Sequence, residues 1–272
     1  MTKREPRVLG FSADVWPRIL APLMMGMLLL GGWEFAVRHF QIPYYLLPGP
    51  LLIAETLVKD WPSLSAALMV TLRITILALL VAVTAGVSLA VLFSQSKWIE
   101  MTFLPYAVML QVTPVVAIAP LIIIWVDNVQ ASLLICAWIV AFFPIVSNTT
   151  IGLSSTDRNL LDLFRLYGAT RWQTLLMLRL PAALPFFLAG LRISGGLALI
   201  GAIVAEFVAG TGGTSSGLAY RILESGYQLQ IPRMFAALAL ISLSGVVIFL
   251  TLSTVSHLLL RRWHESALRM DR

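Results

Sequence analysis

Charge is what this sequence has least of. Only 12% of its 272 residues are Asp, Glu, Lys or Arg, against 59% that are hydrophobic, and the mean hydropathy is +0.89. A soluble globular domain carries about 25% charged residues, and half of that cannot cover a water-facing surface. Composition therefore excludes a soluble enzyme, a disordered chain and a nucleic-acid-binding module, and leaves a polytopic membrane protein. The net charge of +6 does not bring nucleic acid back, because the basic residues are scattered between apolar runs rather than gathered on one face. Cysteine is almost absent. Cys136 stands alone inside an apolar run, so no disulfide framework and no thiolate metal site can form, and it reads as a small buried hydrophobe. No Gly-Lys dipeptide occurs, which removes the phosphate-binding loop and any ATPase on this chain. The three histidines, His39, His257 and His264, form no zinc-helix motif. Gly213-Thr214-Ser215-Ser216-Gly217 spells a serine hydrolase elbow, but that turn needs a strand before it and a histidine nearby. An apolar span precedes it here, so a flexible external loop is expected. Asn148-Thr149-Thr150 is a formal glycosylation sequon at the cytoplasmic end of a span, where it is discounted.

What the sequence does have is apolar length. Crossing a hydrocarbon core takes roughly 20 residues. Six stretches meet this, near 19–37, 70–93, 101–126, 129–153, 182–209 and 234–260. The third and fourth carry no charge and are separated only by Asp127-Asn128, which reads as a tight hairpin. Pro48, Pro50 and Pro62 break up the connection between the first two, and Leu51 to Lys59 is predicted as a short interfacial helix. Lys and Arg counts set orientation. Thirteen of them fall on the side of the N-terminus, the 94–100 loop, the 154–181 segment and the tail, and four on the other side. Both termini are therefore expected in the cytoplasm. A cleaved signal peptide is not expected, since Asp14 and Pro17 interrupt the basic region and no small-x-small site follows.

The longest cytoplasmic connection, Ser154 to Pro185, reads as two short helices with a sharp turn between them. Ser154-x-x-Asp157 is a candidate cap for the first. Leu160, Leu163, Phe164 and Tyr167 recur at helical spacing as one apolar face. Arg158, Asp162 and Arg165 form a charge ladder elsewhere on the same helix. Gly168 ends that helix, since glycine takes the left-handed conformation without steric cost. Thr170-x-x-Gln173 is a second capping box, and Leu180-Pro181 is expected to close the helix it starts. A plain interfacial hairpin has the same spacing.

The wording of this segment is more specific than its spacing. It resembles the "EAA" signature of permease subunits of bacterial ABC importers: Glu-Ala-Ala, three residues, Gly, and a later Leu-Pro. Asp162-Leu163-Phe164 stand at the triplet, Arg165, Leu166 and Tyr167 fill the gap, Gly168-Ala169 follow, and Leu180-Pro181 close it. Asp replaces Glu, and two bulky residues replace the alanines. Thr113-Pro114, Ala119-Pro120-Leu121 and Trp125 resemble that family's proline-broken helix. Ala189-Gly190-Leu191-Arg192, Ala205-Glu206 and Ser216-Gly217-Leu218 resemble its fifth helix and outer loop. From about residue 70 to 260 the chain is similar to the nitrate, sulfonate and taurine branch. The tail, Trp263-His264-Glu265-Ser266, resembles relatives that import pyrimidine-type thiamine precursors.

The resemblance implies an all-α integral membrane fold of six transmembrane helices, with a cytoplasmic coupling-helix hairpin between helices four and five. It implies residues 1–18 as a cytoplasmic segment, 19–260 as the permease domain with coupling segment 154–181, and 261–272 as a cytoplasmic tail. It also implies a second copy of the chain around a central pathway in the bacterial inner membrane. The implied partners are two cytoplasmic ABC ATPase subunits, which hold the ATP, and an external substrate-binding protein. The chain itself would do no covalent chemistry and hold no cofactor. Residues 162–169 (Asp162, Leu163, Phe164, Arg165, Leu166, Tyr167, Gly168 and Ala169) would meet the ATPase. The implied substrate is a sulfonate-, taurine- or nitrate-like anion, with a pyrimidine-type thiamine precursor as the alternative. A secondary transporter using Glu34 or Glu206 to bind coupling ions is the rival reading, and a membrane-embedded enzyme is a further one.

Charges inside the spans narrow the pathway. A charge at mid-bilayer costs about 2.5–3.5 kcal/mol on insertion scales, so it usually faces a cavity or a partner. Glu34 and Arg73 lie close enough to the outer surface to snorkel. Ser194, Ala198, Ala202 and Glu206 recur every fourth residue as a small-residue stripe, expected to face another helix or the pathway, with Glu206 near the external half of a dimer interface. Thr113 and Pro114 are the candidate gate, and the Thr113 hydroxyl is placed to satisfy a carbonyl that Pro114 frees. Arg192 and Glu206 cannot pair unless the helix between them breaks, with Gly195-Gly196 as the candidate point.

Overall fold

The computed structural model describes residues 15–210 and 216–261. Every regular element among them is helical. In chain order they are α1 (Val15–His39), α2 (Pro50–Lys59), α3 (Trp61–Gln95), α4 (Lys97–Val112), α5 (Val115–Trp125), α6 (Val129–Ser154), α7 (Arg158–Leu166), α8 (Arg171–Thr174), α9 (Leu180–Ala209), α10 (Leu218–Tyr227) and α11 (Ile231–Leu260). A π-helical turn, Leu175–Arg179, joins α8 to α9. Helices α1, α3, α6, α8–α9 and α11 are each long and apolar enough to cross a membrane. The sixth crossing exists only if α4 and α5 count as one span, and these are bent by 101°.

The chain forms two compact units. The first comprises residues 1–61 and 224–236. There Glu34 is held by two hydrogen bonds. Its Oε1 accepts from Arg38 Nε at 2.6 Å and its Oε2 from Leu51 N at 3.2 Å. Pro50 supplies no N–H, so Leu51 offers the first free donor of α2, and a carboxylate satisfies it where the helix dipole favours negative charge. Arg233 bridges Asp60 at 3.5 Å and Glu224 at 3.8 Å in the same unit.

The second unit comprises residues 62–223 and 237–272. Helices α6 and α9 run antiparallel at close range. A Cβ added to Gly190 would lie 2.7 Å from the Pro144 carbonyl oxygen, and one added to Gly201 would lie 2.8 Å from the Ala137 Cα. In lipid no hydrophobic effect drives helices together, so small residues that let backbones touch do the work. Around this pair, Ile74 and Ala78 of α3, Ala119 and Ile122 of α5, Leu133 and Cys136 of α6, and Ala202 and Ala205 of α9 form one buried cluster. The broad exposed apolar surface of the other faces, such as Leu80, Val247 and Leu250, suits a hydrocarbon solvent.

Two local expectations are corrected. Ser154 is the last residue of α6, and Asp157 itself caps α7 by accepting from Asn159 N at 2.9 Å. Leu180-Pro181 does not end the second short helix. The wider π turn loosens the helix just before Pro181, where its ring would otherwise meet the carbonyl four residues back, and α9 continues from it. Helix α9 also stays unbroken through Gly195-Gly196, so Arg192 and Glu206 remain apart. The segment 211–215 and the 262–272 tail fall outside the described residues, and with them most of the elbow-like pattern and the Trp263–Ser266 motif.

Candidate functional site

The hairpin after α6 is built as its residues dictate. Ala169 N donates to Phe164 O and Gly168 N to Arg165 O, both at 3.0 Å. This pairing closes α7 with Gly168 at φ +68°, a conformation that favours glycine. Thr170 then opens α8 with a complete capping box: Gln173 N donates to Thr170 Oγ1 at 3.2 Å, and Thr170 N to Gln173 Oε1 at 2.7 Å. The result is an apolar ridge in the open. Leu166 and Tyr167 are 85% and 83% exposed, Leu163 and Trp172 are exposed, and Asp162 pairs with Arg165 at 3.0 Å beside them. Phe164 turns inward and is half-buried, and Ala169 lies partly buried behind the turn.

The α4–α5 break lies at Thr113-Pro114. Pro114 caps α5, and the Thr113 hydroxyl donates to Met109 O at 2.7 Å, not to the Leu110 carbonyl that Pro114 frees. Beside the break is a cavity of about 390 Å³, walled by Gln111, Thr113, Pro144, Leu197, Ile200 and Val204 among others. Among the described residues, no charged side chain lines it.

The stripe Ser194, Ala198, Ala202 and Glu206 is buried within the chain. The Ser194 hydroxyl donates to Ala141 O at 2.7 Å, Ala198 packs with Ala82 and Ala141, and Ala202 joins the core. The helix that the stripe faces is therefore α6 of the same chain, with α3 alongside. The cavity wall uses a neighbouring face of α9.

Glu206 is 3% exposed. Thr71 Oγ1 of α3 donates to its Oε1 at 2.8 Å, and Ala219 N to its Oε2 at 3.0 Å. Thr71 Oγ1 in turn accepts from Leu218 N at 2.9 Å. The first two free N–H groups of α10 are thus met by a carboxyl group and a hydroxyl from two other helices. Gly217 completes the fit, because an added Cβ would sit on the Glu206 carboxyl group. Sequence reasoning picked out Glu206 and Gly217-Leu218 separately but did not join them, and it missed Thr71. The available signal was an acid inside an apolar span, followed closely by a glycine and a helix start.

A model of binding-protein-dependent transport system inner membrane components matches residues 82–267. The chain belongs to this family. It is an ABC transporter permease subunit, an inner-membrane, multi-pass and non-catalytic component that works with ATPase and binding-protein partners. The permease is 34% identical to the riboflavin transport system permease protein RibX of Chloroflexus aurantiacus, over 98% of each chain. It is 34% identical to the formylaminopyrimidine transport permease protein ThiX of Halalkalibacterium halodurans, over 89% of this chain and 95% of that one. It is 30% identical to the putative aliphatic sulfonates transport permease protein SsuC of Bacillus subtilis, over 82% and 80%. Among solved structures, an amino acid ABC transporter shares the fold with a TM-score of 0.61 at 21% identity, covering 76% of this chain and 96% of that one.

Proposed function

We propose that two copies of the permease enclose a pathway for a neutral nitrogen heterocycle, of pyrimidine or flavin type, delivered by an external binding protein. Two ATPase subunits drive it, one seated on each α7–α8 hairpin, and both termini and residues 154–181 face the cytoplasm. In this reading residues 1–18 and 261–272 flank a single permease domain. The exposed ridge of Leu163, Leu166 and Tyr167 beside Gly168 carries the coupling role. Burying one large side chain is worth about 1.5–3 kcal/mol, enough for a small cluster to anchor a groove. The Asp162–Arg165 pair orients the contact more than it tightens it, since exposed pairs are worth about 0–1 kcal/mol. Thr113 and Pro114, at the 101° bend, act as the gate. Ser194, Ala198, Ala202 and Glu206 hold the helices behind it.

The uncharged cavity at the break supports a neutral solute, as do the names of two relatives at 34% identity. The sulfonate reading has its own support in the sulfonate-named relative and in Arg73, which lines a separate cavity of about 250 Å³ with Asn128 and Gln130. The test is uptake into proteoliposomes holding the permease, its ATPase and its binding protein. Riboflavin or formylaminopyrimidine should accumulate with ATP. Accumulation of taurine or an alkanesulfonate without either heterocycle would overturn the proposed substrate.

A further inference from the structure

A third cavity, of about 410 Å³, lies where the end of α3 meets α7, α8 and the π turn. Arg165, Arg171 and Arg179 line it, with the hydroxyl-bearing Ser94 and Thr174, and no carboxylate is among the lining residues. Three guanidinium groups around one space repel one another unless something negative sits among them. Arg165 reaches Asp162, but that pair is largely exposed and its bond is easily exchanged for another acceptor. Arg171 has no carboxylate partner among the described residues. Lys97, at the start of α4 near the end of α3, is paired with Glu100 at 3.9 Å.

Arg179 adds an independent observation. Its Nη1 donates to the Ser94 carbonyl at 3.0 Å, which fixes the guanidinium against the end of α3. Its Nε is buried and has no acceptor. A planar guanidinium fork suits the paired oxygens of a phosphate.

We infer that this cavity is a binding site for a phosphate-bearing anion, one that ties the end of α3 to the α7–α8 hairpin. On the orientation proposed above it opens at the cytoplasmic membrane surface. Either an acidic lipid headgroup or a soluble phosphate can supply that chemistry. The test uses the full-length permease in phosphatidylcholine nanodiscs without the ATPase, so its outcome is independent of the coupling role. One arm adds phosphatidylglycerol and reads retained lipid by native mass spectrometry. The other titrates inorganic phosphate and pyrophosphate by calorimetry.

Binding in the first arm alone identifies a lipid site, and binding in the second identifies a soluble anion. In either arm Arg171→Gln should weaken binding about five-fold, the worth of one arginine near a phosphate. Arg165→Gln with Arg171→Gln should weaken it about 25-fold if the two act independently. Both side chains are exposed, so neither change threatens the fold. Arg158→Gln, on α7 but outside the cavity lining, should change nothing. No binding in either arm, or an equal loss with Arg158→Gln, would overturn the site.

Discussion

Replacing Thr71 with Val tests the Glu206 cluster with almost no change of shape. The two side chains have nearly the same volume, and the site is closed, with Thr71 1% and Leu218 0% exposed. The change removes a hydroxyl that donates to the Glu206 carboxyl group, at 2.8 Å to Oε1, with Ala67 O at 3.3 Å as the longer alternative, and accepts from Leu218 N at 2.9 Å. A buried N–H left without an acceptor costs about 1–3 kcal/mol, and a typical lost hydrogen bond about 0.5–1.5 kcal/mol. The expected loss is therefore about 2–4 kcal/mol, concentrated at the start of α10. Thr71→Ser keeps the hydroxyl and should lose far less. Two measurements read this: thermal denaturation in detergent, and amide hydrogen exchange at Leu218 and Ala219. Since 1.4 kcal/mol is a factor of ten, exchange at those two amides should speed up at least ten-fold in Thr71→Val. If the Val and Ser variants melt and exchange alike, the hydroxyl is not what holds α10, and the reasoning fails.

Gly217→Ala should disturb the same cluster from the other side, because its Cβ would displace the Glu206 carboxyl group; uptake and melting temperature should both fall, and a variant with unchanged melting would show that the segment simply moves aside. Gly168→Val should cost about 1–2 kcal/mol at the φ +68° turn and tilt the exposed ridge. The protein should still reach the membrane but lose ATPase pull-down and uptake, and normal values of both would make the turn a passive connection. Ser194→Ala, which removes the 2.7 Å bond to Ala141 O, should destabilise the α6–α9 pair by about 0.5–1.5 kcal/mol without altering substrate preference, as read by denaturation and competition uptake. With Cys136 replaced, a cysteine at position 171 should react with an impermeant reagent only in inverted vesicles, and labelling from outside intact cells would reverse the proposed topology.

The features that showed in the sequence are those whose cause lies within a few residues. Asp127-Asn128 had to be a hairpin because nothing else interrupts two uncharged runs, and Asn128 indeed caps α6 by accepting from Ala131 N at 3.0 Å. Gly168 and the Thr170–Gln173 box were legible because a left-handed stop and a capping pair are local events. The Leu51–Lys59 helix was legible because proline at its first turn and the short apolar repeat act locally too. Ser154 and Pro181 were misread for the opposite reason. The order in which side chains compete for one helix end, and the insertion of a π turn, depend on how the flanking helices are held.

Apolar length by itself determined that this chain lives in a bilayer as a set of helices, since a hydrocarbon solvent demands that each span satisfy its own backbone. Tertiary structure alone decided what the in-membrane acids do. Glu34 meets a helix start 17 residues along the chain, and Glu206 meets a hydroxyl 135 residues away. It also decided that the small-residue stripe packs against α6, and that the third span bends by 101° at Thr113-Pro114. A proline marks where a helix can break, but the angle follows from the surfaces packed on either side. A buried carboxyl group likewise needs donors, and only the packing of distant helices determines which donors reach it.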